Sequence, residues 1–373
     1  MIKADLFLNF LKKKKINFFS GVPDSVLKYF SNAIDEIKNH FICTNEGSAI
    51  SLAIGNYLTT RNIGLVYMQN SGFANAINPL ISIAEKTVYS IPLVLLIGWR
   101  GSPGMKDEPQ HVAKGKITTK LLNNLNIKYL IIKEKKDFPK ISNLINFSKK
   151  NKVPVALLCK RGVLLGANKK IKEIKENLLT REQTILKILE NVNTNDKIIS
   201  TTGYTSRELY QTRKNHKKNK GKDFYMVGGM GHSSMVALGV SLKSKNNVIC
   251  LDGDGSLLMH MGALATIGAF GKKNFKYILL NNSVHESVGG QKTVADQINF
   301  SLLSKSLNFK SYALIKSKNN YEKIITKFLK SPGPSFLEIK TQIKSMKNLS
   351  RPNNFKTIKN KFMVLKNDYK KSL

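Results

Sequence analysis

Acidic side chains are scarce in this chain, with 24 Asp and Glu against 61 Lys and Arg and a formal net charge of +37 over 373 residues. Arginine is scarce as well. It stands only at positions 61, 100, 161, 181, 207, 213 and 351, so lysine carries nearly all of the excess. Recognition of nucleic-acid grooves favours arginine forks. A lysine excess accompanied by abundant Asn and Ile reads instead as codon bias on a solvated surface. Cysteine is limited to Cys43, Cys159 and Cys250, far apart in apolar stretches, which gives neither a disulfide framework nor a zinc site. Long apolar runs are missing: the longest, 88–98, is too short to span a bilayer and contains Pro92. The opening MIKADLFLNF places Asp5 within a short apolar segment, unlike a signal peptide. These absences point to a reduced, cytoplasmic protein without nucleic-acid or membrane partners.

What is present is a folded chain of ordinary apolar content, 42% hydrophobic, and long enough for two cores. Short β-rich runs alternate with helical stretches along almost all of it. Strands are expected at 16–20, 41–44, 65–68, 93–97, 129–132 and 155–158, then at 197–200, 224–227, 248–251, 277–280, 312–315 and 336–339. Helices are expected between them, among them 25–37, 47–60, 138–149 and 256–270. Near-continuous apolar strands alternating with helices imply an α/β fold with parallel sheets covered on both faces. Two domains follow, 1–168 and 181–373, each with a sheet of about six strands, joined by a polar linker at 169–180.

In open α/β sheets ligands bind beyond the carboxyl ends of the strands. Those ends are rich in glycine and polar residues here, at 21–24, 45–47, 69–72, 98–101, 202–203, 228–231, 252–256 and 281–282. The strongest pattern is Gly253-Asp254-Gly255-Ser256 followed by Asn281-Asn282, with 25 residues between Gly255 and Asn281. Gly-Asp-Gly alone is a common βα turn. Between two strands and with the Asn pair, it sets Asp254 and Asn282 at one edge of adjacent strands, as hard oxygen donors suited to Mg²⁺. The helix after Ser256 would offer N–H groups to a phosphate.

This constellation resembles the signature of the thiamine diphosphate-dependent decarboxylase superfamily. The resemblance implies that Asp254, Asn282 and the carbonyl of Val284 hold Mg²⁺ against the cofactor's diphosphate. Gly253, Gly255, Ser256, Thr202 and Gly203 would line the cofactor. Gly229 and Met230 match the segment that props it in a bent conformation, although a Met can equally be plain core. Glu46, in Asn45-Glu46-Gly47, corresponds to the glutamate that acts on the aminopyrimidine ring; as a bare sequence feature it is also a first-turn helix carboxylate. Since Glu46 and the metal motif lie in different halves, the family pattern implies at least a homodimer with the active site at its interface.

Longer segments are similar to the family of phosphonopyruvate decarboxylases and their sulfopyruvate-decarboxylating relatives. They are 21–25, 67–72, 98–101, 106–111, 202–203 with 206–209, 285–291, 349–352 and 362–363. The implied reaction is decarboxylation of 3-phosphonopyruvate to phosphonoacetaldehyde and CO₂ through a cofactor ylide and enamine, in phosphonate biosynthesis. Sulfopyruvate or another 2-oxo acid, and carboligation, stay open, although the single-chain layout favours the phosphonate. Asp24 and His111 are candidates for proton handling; Asp24 is also a candidate helix N-cap and His111 could be a loop histidine without a role. Ser25, Arg100, Lys106 and His285 are candidates for substrate contact. Two departures stand out: Ser283 where relatives have Gly, and Lys292 where they have Pro.

Overall fold

A computed structural model describes residues 1–167 and 176–363 of the chain. Residues 169–175 of the expected linker lie outside the described residues. The described chain forms two compact units, one of residues 1–167 with 285–291, the other of 176–284 with 292–363. The first holds strands β1 (Ile2–Lys3), β2 (Phe19–Gly21), β3 (His40–Ile42), β4 (Leu65–Gln69), β5 (Val94–Gly98), β6 (Lys128–Ile132), β7 (Val155–Cys159) and β8 (Leu164–Leu165). The second holds β9 (Lys197–Ser200), β10 (Lys222–Tyr225), β11 (Val248–Gly253), β12 (Phe275–Asn281), β13 (Ser311–Ile315) and β14 (Ser335–Lys340).

Each unit is organised by a six-stranded parallel sheet, in the orders β3-β2-β4-β5-β7-β6 and β10-β9-β11-β12-β14-β13. Successive side chains of a strand point to opposite faces, and both faces are buried. Leu65, Tyr67, Val94 and Leu96 join one core of the first unit, while Val66, Met68, Leu95 and Ile97 join the other. In the second unit Ile249, Leu251, Ile278 and Leu280 face one core, and Val248, Cys250, Tyr277 and Leu279 face the other. The continuous apolar strands are the sequence signature of that double burial.

Several elements differ from expectation. The N-terminal segment supplies β1, which pairs with β8 in a small separate sheet. The helix expected over 25–37 is confined to Lys28–Ile34, and Leu27 rather than Asp24 stands at its N-cap. The helix expected over 256–270 is two helices, Asp254–Met259 and Ala263–Phe270. His260 leaves helical geometry at φ −139° and ψ 52°, and Gly262, a poor helix former, follows it.

Strand order reverses direction between β2 and β4 in one sheet and between β9 and β11 in the other. Such switch points open a crevice at the carboxyl ends, because the loops leaving the two strands turn to opposite faces. Topology therefore marks the loops after β2, β4, β9 and β11 as the places for a ligand.

The double burial has a direct test. Leu95→Ala and Leu96→Ala truncate adjacent, fully buried side chains on opposite faces. Each should cost about 2–5 kcal/mol in urea unfolding. A neutral result for either would contradict a sheet covered on both sides.

Candidate active site

In the first unit, Asp24 follows β2 and is fully buried. Its Oδ1 accepts Gln69 Nε2 at 2.5 Å across the switch point, and its Oδ2 accepts the backbone N–H groups of Val26 and Leu27 at 3.0 and 3.2 Å. Burial raises its pKa above the ordinary carboxylate value, and these bonds only partly offset that. The space for this carboxylate exists because residue 98 has no side chain: a Cβ on Gly98 would lie 2.0 Å from Asp24 Oδ2.

Glu46 opens the helix Glu46–Thr60, whose N-cap Asn45 accepts the N–H of Ser48 at 2.9 Å. The family pattern asks for a carboxylate here, and the structure buries it to 4% exposure, far beyond a solvated first-turn residue. Asn75 Nδ2 donates to Glu46 Oε2 at 2.8 Å, and burial raises the Glu46 pKa. Gly72 fits against it so closely that a Cβ would fall 1.7 Å from Glu46 Oε1.

The segment after β4 ties these groups together. Gln69 holds Asp24, Ser71 Oγ fixes Gln69 Oε1 at 2.7 Å, and Gly72 and Asn75 hold Glu46. Asn70 completes the set, donating to the Arg100 carbonyl at 2.9 Å and accepting the Arg100 N–H at 3.1 Å. Gln69, Asn70 and Asn75 had no role in the sequence reading. The signal available was a run of polar residues directly after a fully apolar strand.

Ser25 and Arg100 are brought together, with Arg100 Nη1 donating to Ser25 Oγ at 3.2 Å. The rest of the guanidinium is engaged. It makes a bidentate pair with Asp107, at 2.8 and 2.5 Å, and lies 3.5 Å from Glu108. Arg100 in turn holds the Asp107 pKa down to about 2. Its charge is thus largely spent within the protein. Lys106 is exposed and borders the same small hollow, together with Arg161, which the sequence reading did not single out. His111 is buried near the start of the helix Pro109–Asn124, and its Nδ1 has no hydrogen-bond partner. Burial and the Arg100 charge lower its pKa to about 4.

In the second unit, the exits of β9, β10 and β11 are joined by hydroxyls. Thr201 Oγ1 and Ser256 Oγ lie 2.8 Å apart across the β9–β11 switch point, Ser256 Oγ accepts the Gly231 N–H at 3.0 Å, and Thr202 Oγ1 accepts the Gly228 N–H at 2.9 Å. Beneath them the buried Asp252 accepts the Tyr277 hydroxyl at 2.8 Å. The Ser256 side chain is therefore engaged internally. Gly203 is the N-cap of the helix Tyr204–Asn215. Gly229 is exposed, and Met230 is half-buried and outside the apolar cores, so the plain-core alternative for Met230 is not what the fold uses. Around Gly253 a Cβ would meet nothing within 4 Å, which leaves open space beside the motif.

Asp254 and Asn282 do come together at the ends of the neighbouring strands β11 and β12. Asp254 is 3% exposed, accepts Thr293 Oγ1 at 2.6 Å and the backbone N–H of Asn282, and has its pKa raised by burial to about 6. Asn282 Oδ1 accepts the N–H of Val284 at 3.2 Å, which folds the turn that carries the Val284 carbonyl. Among the described residues no cluster of three His, Cys, Asp or Glu side chains could hold a metal alone. One carboxylate with amide and carbonyl oxygens suits Mg²⁺ that also takes phosphate oxygens, so these residues fit that group. Ser283 lies between them at φ +60°, a left-handed conformation natural to glycine. Its Oγ donates toward Asn281 Oδ1 at 3.1 Å and Asp296 Oδ1 at 2.6 Å, which offsets part of the strain. The half-buried His285 begins the loop tip that returns at Gln291, its N–H bonding the Gln291 carbonyl at 2.8 Å, and desolvation lowers its pKa to about 4. Lys292 is exposed, and its backbone bridges Val284.

Two outcomes follow from this geometry. Gly72→Ala must displace the Glu46 carboxylate; if Glu46 has the role that the family resemblance implies, a misplacement near 1 Å costs about 10²-fold in rate, and turnover should fall by that factor with an unchanged circular dichroism spectrum. Undiminished activity would contradict the close fit. His111 should stay neutral down to about pH 4 in an NMR titration. With its folded pKa below 6.5, the unfolded chain binds the extra proton first. His111 therefore subtracts stability as pH falls from 6.5 toward 4. A midpoint near 6.5 would contradict its burial.

Comparison with known proteins agrees with this arrangement. The model of the N-terminal TPP binding domain of thiamine pyrophosphate enzymes matches residues 1–122, and that of the C-terminal TPP binding domain matches residues 201–339. Phosphonopyruvate decarboxylase of Streptomyces viridochromogenes is 30% identical over 354 residues, covering 89% of this chain and 87% of that protein. Its namesake from Streptomyces hygroscopicus is 29% identical over 371 residues, covering 94% and 90%. Sulfopyruvate decarboxylase of Methanosarcina acetivorans is 27% identical over 356 residues, covering 89% of each. That protein matches along both halves in a single chain, so the single-chain layout does not separate the two substrates. The chain belongs to the thiamine pyrophosphate enzymes, in the family of decarboxylases that includes phosphonopyruvate decarboxylase.

Proposed function

We propose that this decarboxylase converts 3-phosphonopyruvate to phosphonoacetaldehyde and CO₂, serving phosphonate biosynthesis in the cytoplasm. The observation that carries the substrate is similarity along nearly the whole chain to two relatives of that name. Sulfopyruvate is the second reading, favoured by the single-chain relative at 27% identity.

In this reading Asp254, Asn282 and the Val284 carbonyl hold Mg²⁺, and Thr202, Gly203, Gly229, Met230, Gly253, Gly255 and Ser256 line the cofactor. Bound thiamine diphosphate would supply a nucleophile for the 2-oxo carbon and an electron sink for the departing carboxylate. Glu46, its pKa raised by burial, exchanges a proton with the aminopyrimidine ring. Asp24, likewise raised, can retain a proton closer to neutrality than a solvated carboxylate and deliver it to the product carbon. His111 stays neutral and orients the 2-oxo acid by hydrogen bonding. Lys106 is the freer cation for the phosphonate, with Ser25 and the shared charge of Arg100 beside it, and His285 is a further contact. Glu46 and Asp254 come from different halves, and two copies of the chain would complete each active site.

The test is CO₂ release from phosphonopyruvate, sulfopyruvate and pyruvate offered in parallel with thiamine diphosphate and Mg²⁺. A kcat/KM for phosphonopyruvate at least about tenfold above the others, worth about 1.4 kcal/mol, is expected. Equal or reversed preference overturns the substrate. Glu46→Gln should lower kcat by about 10²–10⁴-fold while the fold persists; full activity overturns the role of Glu46.

A further inference from the structure

We infer that Thr293 is a positioning residue for the metal site, a clasp that fixes the Asp254 carboxylate to the turn carrying the other two metal donors. The inference rests on the reading that Asp254, Asn282 and Val284 hold Mg²⁺.

Thr293 makes two contacts that converge on that turn. Its Oγ1 donates to Asp254 Oδ2 at 2.6 Å, and its backbone N–H donates to the Ser283 carbonyl at 2.9 Å. Between them the chain forms a closed loop: Val284 and Lys292 bridge in antiparallel fashion, and the His285 N–H bonds the Gln291 carbonyl at 2.8 Å. Asp254 is thus held from both ends of the loop, by the backbone N–H of Asn282 on the outgoing side and by the Thr293 hydroxyl on the returning side. Thr293 is itself anchored, its Oγ1 lying 3.4 Å from the N–H of the fully buried Ala295.

An O–H···O⁻ bond of this length is charge-assisted and directional. It occupies one carboxylate oxygen and sets the rotation of the group, which decides where the remaining lone pairs point. Hydrogen bonds of this kind to a metal-binding carboxylate commonly change metal affinity by about 10–100-fold. Mg²⁺ demands near-ideal octahedral geometry, whereas Ca²⁺ tolerates irregular coordination. A clasp that orients Asp254 should therefore matter more for Mg²⁺ than for Ca²⁺. A hydroxyl that merely stabilises the fold would affect both ions alike.

The experiment measures thiamine diphosphate binding to the full chain by equilibrium dialysis, as a function of Mg²⁺ or Ca²⁺ concentration. Thr293→Val keeps the shape and removes the hydroxyl; Thr293→Ser keeps the hydroxyl. Thr293→Val should raise the half-saturating Mg²⁺ concentration by about tenfold or more, with a rise for Ca²⁺ of less than about threefold. Thr293→Ser should stay within about twofold of wild type for both ions. An unchanged Mg²⁺ requirement in Thr293→Val, or equal rises for both ions, overturns the inference. So does a Thr293→Ser shift as large as that of Thr293→Val, which would assign the effect to the methyl group. Should Thr293→Val fail to fold, Thr293→Ala replaces it with the same expectations. If the wild-type chain binds the cofactor equally well without a divalent ion, the metal reading itself fails; wild-type dependence on Mg²⁺ with an indifferent Thr293→Val removes only the clasp.

Discussion

A carboxylate taken out of water costs several kcal/mol unless hydrogen bonds replace its solvation, and this chain buries four of them at the carboxyl ends of its strands. Asp24, Glu46, Asp252 and Asp254 all lie at or below 4% exposure. Each is met by donors from a neighbouring loop: Gln69 for Asp24, Asn75 for Glu46, Tyr277 for Asp252, Thr293 for Asp254. Most of the polar detail around the strand ends answers this requirement. Gly72 and Gly98 make room for carboxylates, while Ser71 and Asn70 fix the segment that serves them. Burial leaves all four pKa values raised, so the supporting bonds compensate only in part. Carboxylates with raised pKa values are common where a site transfers protons.

The charge balance gains a sharper meaning from this. Acidic residues are few, 24 in all, and four of them are committed to these strand ends. Arginine is similarly committed: Arg100 pairs with Asp107, Arg181 with Glu208 at 2.7 Å and Arg213 with Asp223 at 2.6 Å. The long lysine excess takes no part in these arrangements, apart from Lys106 at the hollow beside Arg100. No helix among the described residues is long and apolar enough to cross a membrane.

Much of the fold was legible because a parallel sheet buried on both faces leaves an unmistakable trace: five or six apolar residues in a row, followed by glycine and polar residues. All twelve expected strands correspond to sheet strands, most within a residue or two. That Asp254 and Asn282 meet at the ends of adjacent strands was legible through motif spacing, and the sheet topology explains why that spacing works; Glu46 was singled out by the family resemblance. What escaped was whatever depends on tertiary closeness. Sequence could not show that Asp107 occupies Arg100, nor that the Ser256 hydroxyl faces inward to Thr201 and Gly231. The break at His260–Gly262 and the pairing of β1 with β8 escaped too, since two-residue strands and short helices carry little periodicity. The roles of Gln69 and Asn75 emerged only when their loop was seen to serve two carboxylates.

The most direct measurement of the central claim is isothermal titration of thiamine diphosphate into the Mg²⁺-saturated chain, wild type against Asp254→Ala. If the strand-end carboxylates exist to hold the cofactor and its metal, the wild-type chain binds one cofactor per chain. Asp254→Ala then loses that binding while its circular dichroism spectrum shows the chain still folded at the assay temperature. Equal affinity in the two proteins, or loss of binding only through unfolding, would contradict the account.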